Sequence, residues 1–396
     1  MNVRGSYSIK KEHFFLFSAA PAFTGFSVSF LDLIIVPMFF LFWLKNRMSF
    51  STVSLSMLFL SCSIVTIGNL ANSGVIDFIN YFQWILFIIT IFSVHSLVSN
   101  GFISPYEALK YWSYGIFLNV IVVILQQSNT LESYFMLPEQ KSFPLPGYDV
   151  IRSAGLLFNP NSLAAFCVLA FIISLYFKRY ILCILTVITA VSSFSKTIFL
   201  IPVFLVVVAL TSNGVRKKIL ASIILMSALI ALIPKLLSLL EYRLENAESL
   251  GSRSKIINYF LDKDYTLYEV LFGLGSNQDI VTHLGRVHNK FLSIFVQFGS
   301  IIGVVFSILI ILLLVSSVKS IQEYSLRIYV GFFMVSWLAL ASVSTFTFFT
   351  FEWVGLVLFI CYAINERGVV RKGGNFQMIY LTFKYKGNGW VTSLYL

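Results

Sequence analysis

The sequence has few charged residues for its length. Only 11% of the 396 residues are Asp, Glu, Lys or Arg, whereas 58% are hydrophobic. A soluble globular chain carries about 25% charged residues. A chain this poor in charge cannot cover a water-facing surface of that size, and its apolar runs leave no stretch long enough for a soluble domain. The composition therefore predicts one integral membrane domain over residues 1–396.

Cysteine and histidine are also scarce, and their spacing argues against a metal site. The two histidines His283 and His288 are five residues apart, which is not the i, i+4 pair of a helical metal site. No CxxC pair occurs, so we expect neither a disulfide nor a thiolate site. We predict no metal and no cofactor. The cysteines, which all fall in apolar runs, are Cys62, Cys167, Cys183 and Cys361.

The apolar runs have the length of transmembrane helices, which need about 20 residues. They are continuous rather than alternating, unlike the strands of an outer-membrane barrel. In lipid a helix satisfies its own backbone hydrogen bonds. The predicted fold is therefore an all-α polytopic membrane protein with about 12 transmembrane helices. The predicted spans are 13–28, 29–44, 52–69, 77–98, 106–127, 160–177, 180–195, 197–212, 218–238, 290–317, 328–349 and 352–365.

The basic residues predict the orientation. With a cytoplasmic N-terminus, most of the 28 lysines and arginines fall in the inner connections, as the positive-inside rule requires. Both termini are then cytoplasmic, as is the tail at 366–396, and two large loops at 127–159 and 241–289 emerge on the outer side. The first loop is rich in proline and is expected to be irregular. The net charge of +11 is scattered over short turns, so nucleic-acid binding is not predicted.

Four ionisable groups are expected at the outer surface, where positive charge is otherwise sparse. Each has a structural explanation: the lysine could snorkel to the interface, the arginines could pair with outer acids, and a lone histidine is often structural. Their concentration at one membrane face favours a functional role. The four groups are Arg152, Lys196, Arg253 and His288.

These residue types suit a lipid-linked diphosphate. Arginines hold phosphate oxygens in a planar fork and can neutralise a departing diphosphate. A histidine, whose ordinary pKa lies near neutrality, can take a proton from a sugar hydroxyl. Gly299 follows His288 by eleven residues, so on a continuous helix it would lie beneath His288 on the same face, about 16 Å deeper. A small residue there would let this helix seat against a neighbour.

Several short motifs follow one another along the chain: Arg152-x-x-Gly155 followed by Asn159-Pro160-Asn161, Ser195-Lys196, Phe272-Gly273-x-Gly275, and His288-Asn289-x-x-Leu292 followed by Gly299. Their order resembles the bacterial O-antigen polymerase and O-antigen ligase superfamily. The resemblance extends from about the third predicted span to the last. One motif of the polymerases is an arginine followed by a glycine eleven residues later. It is not met in the first large loop, because Leu163 stands eleven residues after Arg152.

The resemblance implies a membrane-embedded glycosyltransferase of the bacterial inner membrane. The donor would be an oligosaccharide on undecaprenyl diphosphate, the site would face the periplasm, and the product would enter lipopolysaccharide biosynthesis. Besides this donor and the lipid bilayer, a chain-length regulator is a candidate partner. By position His288 would be the base, while Arg152, Arg253 and Lys196 would hold the diphosphate. Asn161, Asn289 and Gly299 would support them.

Three functions remain open from the sequence. A polymerase would add the growing chain to the non-reducing end of another lipid-linked repeat, and this is the favoured interpretation. A ligase would move the finished chain to lipid A–core. A flippase or transporter of lipid-linked sugars is the third, although such proteins place ionisable groups near the midplane, often within inverted repeats. Here the spans carry almost no central charge and no repeat is visible.

Overall fold

The described residues of the computed structural model are predominantly helical. Described are residues 10–20, 29–46, 55, 58–63, 65–66, 78–128, 141–145, 148–157, 160–193, 195–211, 264–274, 290–321, 323–343, 350–370, 380–382 and 393–395. The α-helices are α1 (Phe30–Asn46), α2 (Phe78–Ser99), α3 (Pro105–Gln127), α4 (Pro160–Tyr176), α5 (Tyr180–Ser192), α6 (Leu200–Thr211), α7 (Leu267–Phe272), α8 (Lys290–Ser320), α9 (Tyr324–Val343) and α10 (Thr350–Val370). The 3-10 helices are Lys11–Phe17 and Lys196–Phe199, and the strands are β1 (Lys141–Leu145), β2 (Tyr148–Arg152), β3 (Tyr380–Thr382) and β4 (Ser393–Tyr395).

Helices occur where the apolar runs predict them. The predicted spans 77–98, 106–127 and 160–177 coincide closely with α2, α3 and α4. Two described helices, Tyr81–Ser99 and Pro105–Gln127, are long and apolar enough to cross a membrane, judged by length and composition. The helical class is thus confirmed for the described residues, whereas the number of crossings and their orientation stay predictions. The predicted span 218–238 lies outside the described residues.

Helix α4 is the centre of the bundle. Every residue from Ser162 to Ser174 is buried, on all sides of the helix. A helix that is apolar all round is kept from water either by other helices or by lipid. Helices α3, α5, α6, α9 and α10 supply that enclosure. The first turn of α4 is therefore held in a fixed place at one end of the bundle.

The two ends of the bundle differ in character. At one end, which we call the tyrosine end, Tyr106, Tyr176 and Tyr362 pack together, with ring centroids 5.9 to 6.1 Å apart. The opposite end, called the hairpin end, is where α3 ends, α4 begins and the β1–β2 hairpin joins them. Trp112 of α3 fixes α10 between these ends, because its indole N–H donates to the Phe351 carbonyl at 3.0 Å.

The prediction of an α-helix from residue 13 is wrong in its described part. Lys11–Phe17 is a 3-10 helix, and its last residues turn at Ser18. Pro21 follows closely, and a residue before proline is disfavoured in the helical region. The segment instead packs across the beginning of α3. His13 Nε2 lies 2.8 Å from the Tyr111 hydroxyl, and Glu12 accepts from the Ser104 N–H at 3.2 Å.

The first large loop is not wholly irregular, contrary to the prediction. Strands β1 and β2 form an antiparallel hairpin in which Lys141 is opposite Arg152 and Leu145 is opposite Tyr148. Proline is excluded from central strands because it lacks an N–H. A two-stranded ribbon has two edges, so Pro144 is tolerated in β1, opposite Asp149.

Helix α8 is broken, so the phase argument for Gly299 is wrong. The backbone of Gly299 has φ 81° and ψ 174°, which separates 290–298 from 300–320. The rotation that would place Gly299 beneath His288 assumed one continuous helix. His288 itself lies outside the described residues, and α8 begins at Lys290. The predicted close approach does occur at Gly299, but its neighbour is the backbone at the end of α7, at Leu271 and Gly273.

The tail contains a strand. Strand β3 forms there and pairs with β4, with Tyr380 opposite Tyr395.

Candidate functional site

The segment directly after Arg152 is held by two buried amide side chains of α3. Gln126 accepts from the Gly155 N–H at 3.0 Å and donates to the Gly155 carbonyl at 3.3 Å. Asn119 accepts from the Leu156 N–H at 2.9 Å. Both amides are buried, with relative exposures of 1% and 0%. We call Asn119 and Gln126 the amide clamp. It supplies the hydrogen bonds that this non-helical backbone needs when it is buried.

Helix α5 holds the same segment from the other side. The Ser153 N–H donates to the carbonyl of Ser192 at 3.0 Å. Gln127, the last residue of α3, donates to Ser153 Oγ at 2.7 Å. Each of these bonds contributes about 1 kcal/mol, and an unpaired buried group would cost about 1–3 kcal/mol. The backbone that begins at Arg152 therefore has one well-defined path.

A second contact joins two further motifs. Ser195 Oγ donates to Asn161 Oδ1 at 2.8 Å, so the first turn of α4 meets the turn that precedes Lys196. Ser195 is also the N-cap of the 3-10 helix that starts at Lys196, since its side chain accepts from the Thr197 N–H. The hydroxyl therefore fixes the start of that helix against α4.

These contacts bring three of the predicted site positions to the hairpin end. Arg152 ends β2, Asn161 is the second residue of α4, and Lys196 begins the 3-10 helix. Arg253, His288 and Asn289 lie outside the described residues.

Gly273 and Gly299, which belong to two further motifs, lie against each other away from the hairpin end. We call this contact the glycine crossing. Both have a positive φ, 82° and 81°. A Cβ on Gly299 would overlap the Leu271 carbonyl oxygen, and one on Gly273 would overlap the Gln297 carbonyl oxygen. The Leu274 N–H donates to the carbonyl of Val296 at 2.7 Å across the crossing. The break in α8 therefore coincides with this contact, where the carbonyl of Val296 accepts from Leu274.

Sequence reasoning missed several residues that build these sites. Asn119 and Gln126 are polar residues inside an apolar helix, and that contrast is a usable signal. Thr266 and Glu269 form a capping box that starts α7, and the Thr-x-x-Glu spacing predicts such a box. Gln297 is completely buried beside the crossing, which only the tertiary structure shows.

Glu352 is a buried carboxylate at the beginning of the last predicted span, not at its centre. This carboxylate lies in the first turn of α10 and is 1% exposed. The positive end of a helix dipole favours an acid at that position. Among the described residues, no group of three or more His, Cys, Asp and Glu side chains could hold a metal ion.

Gly155→Ala is expected to destabilise the hairpin end. Gly155 has φ +58°, and a Cβ there would lie 2.5 Å from Asn119 Oδ1 and 2.9 Å from Leu163 Cδ1. Left-handed strain and overpacking together cost about 2–4 kcal/mol. The matched control is Gly101→Ala, because Gly101 has φ +72° with no atom within 4 Å of its Cβ. Thermal unfolding of the purified protein should give the lower midpoint for Gly155→Ala; equal midpoints would contradict the clamp geometry.

Comparison with known proteins adds no family to this geometry. No protein-family model matches the sequence, and no curated protein matches it significantly.

Proposed function

We propose that the chain is a multi-span glycosyltransferase of a bacterial inner membrane. It would extend a surface polysaccharide by transferring the growing glycan from undecaprenyl diphosphate to the non-reducing end of another lipid-linked repeat. Reaction would occur where the hairpin end meets the outer leaflet. An O-antigen ligase, which hands the glycan to lipid A–core, is the alternative within this class.

One observation carries the proposal: the convergence of separate motifs at the hairpin end. Arg152-x-x-Gly155 is held by Gln126, and Asn161 accepts a hydrogen bond from Ser195 of Ser195-Lys196. Motifs 34 residues apart in the chain thus share one small region. Basic residues carried on neighbouring rigid segments suit a diphosphate, which needs several positive partners at once.

The reaction assigns distinct tasks to the residues. The base, His288 in this proposal, removes the proton from the acceptor hydroxyl, and that oxygen then bonds to the anomeric carbon. The bond from the anomeric carbon to the diphosphate breaks, and the leaving diphosphate carries away the electron pair. Arg152, Arg253 and Lys196 offset the added negative charge. The proton acceptor and the cations are all side chains, so the step requires no cofactor.

The glycan ladder of a deletion strain tests the proposal. Deleting the gene should leave a single repeat on the lipid A–core, and the wild-type gene should restore the ladder. Loss of a ligase would instead leave no repeat on the core and would leave polymer on the carrier lipid. An unchanged ladder in the deletion strain would rule out both enzymes.

The break in α8 favours a second candidate, a flippase or transporter of lipid-linked sugars. Transporters use interrupted helices at their substrate sites, and Gly299 interrupts α8. Purified protein in vesicles decides between the classes. Strong transbilayer movement of lipid-linked repeats without chain extension would support transport and would defeat the glycosyltransferase.

A further inference from the structure

The turn between α4 and α5 places an arginine in an unusual position. Lys178 has φ 57°, the Arg179 N–H donates to the Ser174 carbonyl at 2.8 Å, and the Lys178 N–H donates to the Leu175 carbonyl at 3.0 Å. These paired bonds and the left-handed residue are the Schellman motif that ends a helix. The motif fixes the direction of the chain, so Lys178 is exposed while Arg179 turns towards the bundle.

The guanidinium of Arg179 is stacked between two aromatic rings. Its Cζ lies 4.9 Å from the ring centroid of Tyr114 and 5.1 Å from that of Phe177. Nη1 is buried and has no hydrogen-bond partner within the described residues. Stacking offsets part of the cost of burying the charge, but a buried N–H without an acceptor remains unfavourable. Arg179 is part-exposed, and its Nε and Nη2 are not among the buried atoms, so these N–H groups are the donors that an external anion could reach.

A second cation, Lys110, lies on α3, the helix that also carries Tyr114. Lys110 Nζ lies 5.6 Å from the Tyr111 ring, and the rings of Tyr111 and Tyr114 are 5.8 Å apart. We call Lys110, Tyr111, Tyr114 and Arg179 the basic strip. Lys110 pairs with Glu107 at 3.2 Å, whereas no carboxylate of the described residues forms an ion pair with Arg179. Within the described residues, the positive charge of the basic strip is therefore neutralised by an ion pair at Lys110 but not at Arg179.

Two apolar stripes run from this strip towards the hairpin end. They lie on α3 and α5, which pack against each other, and their members recur every three or four residues. From Tyr114 to Ile124 the helix rises about 15 Å, which is half of a hydrocarbon core of about 30 Å. The exposed side chains are Phe117, Ile121 and Ile124 on α3, and Ile181, Ile184 and Ile188 on α5.

We propose that the basic strip binds the phosphate of an anionic phospholipid, whose acyl chains lie along these two stripes. The guanidinium would donate to the phosphate oxygens, and the lipid would belong to the leaflet at the tyrosine end. A soluble anion would use the charge but not the apolar stripes, so a lipid fits the whole surface. This inference rests on the membrane placement in the proposed function, but it does not depend on glycosyl transfer.

Binding to the full chain, purified and delipidated in detergent, tests the inference. The probes are phosphatidylglycerol, phosphatidylcholine and inorganic phosphate, followed by native mass spectrometry. We expect phosphatidylglycerol to bind about tenfold more tightly than phosphatidylcholine, and Arg179→Gln to lose about that factor. Lys178→Gln is the matched control, because it removes the same charge at the adjacent exposed residue. Its affinity should stay within about twofold.

Three results would overturn the inference: equal binding of the two lipids to the wild type, equal losses in Arg179→Gln and Lys178→Gln, or binding of inorganic phosphate as tight as that of the lipid. If Arg179→Gln does not fold, Arg179→Lys keeps the charge and loses the planar fork, and it should still weaken lipid selectivity. The comparison of phosphatidylglycerol with phosphatidylcholine on the wild-type protein tests the inference even without a variant. Selective lipid binding together with an unchanged glycan ladder in the deletion strain would refute the proposed function and leave this site standing.

Discussion

Gly299→Ala is expected to prevent the protein from accumulating as a folded chain. The residue has φ +81° and ψ 174°, a region that is essentially restricted to glycine. The new methyl group would also overlap the Leu271 carbonyl oxygen, which is backbone and cannot rotate away. Strain and overpacking together should remove about 3–5 kcal/mol from the free energy of unfolding. The measurement is the amount of folded protein in membranes and its thermal midpoint in detergent.

Two glycines separate the causes of this loss. Gly101→Ala introduces the strain of a positive φ without a clash, since Gly101 has φ +72° and no atom lies within 4 Å of its Cβ. Gly331→Ala introduces neither, because no atom lies within 4 Å of its Cβ. We expect the order Gly331→Ala, Gly101→Ala, Gly299→Ala in increasing severity. Gly273→Ala should resemble Gly299→Ala, and the double variant should cost less than the sum, because both break one contact. A stable Gly299→Ala protein would disprove the crossing.

His288→Ala is expected to abolish chain extension while leaving the protein in the membrane at normal levels. In the proposed reaction this histidine takes the proton of the acceptor hydroxyl, and a positioned base contributes about 10²–10⁴-fold to the rate. Even a loss of rate at the lower limit of that range should reduce the glycan ladder to a single repeat. The matched control is His283→Ala, which removes the other imidazole of the same segment. A normal ladder with His288→Ala would rule out the base assignment.

Replacing Arg152, which ends β2 at the hairpin end, tests its proposed role in holding the diphosphate. Arg152→Ala should lower extension by about 10²–10³-fold, the effect of removing one electrostatic partner of a developing charge. Lys141→Ala is its control, because Lys141 stands opposite Arg152 in the β1–β2 ladder and has the same charge. Equal losses in the two variants would indicate that the hairpin, rather than the arginine, is what the reaction requires.

The helices themselves could be predicted from local sequence. Continuous apolar runs give α2, α3 and α4 nearly at their observed bounds, because burial of apolar side chains and backbone hydrogen bonding act within a single run. The predictions failed at two places, one beside a proline and one at a glycine. The 3-10 helix Lys11–Phe17 lies just before Pro21, and α8 breaks at Gly299.

The candidate site was predictable in part. The motifs indicated Arg152, Asn161 and Lys196, and a fixed contact now joins Asn161 to Ser195. The amide clamp was missed because Gln126 and Gly155 are 29 residues apart. No periodicity relates two residues at that separation, since their contact depends on how α3 and α4 pack.

By itself the sequence determined the helical class, the approximate helix bounds and the glycine positions that permit a positive φ. Those properties depend on neighbours along the chain, where hydrophobicity and steric restriction act. Only the tertiary structure decided which backbone the glycines approach, how the segment after Arg152 is held, and that Arg179 is stacked between Tyr114 and Phe177. These depend on contacts between elements that are distant in the chain, namely the enclosure of α4 by its neighbours and the packing of α7 against α8.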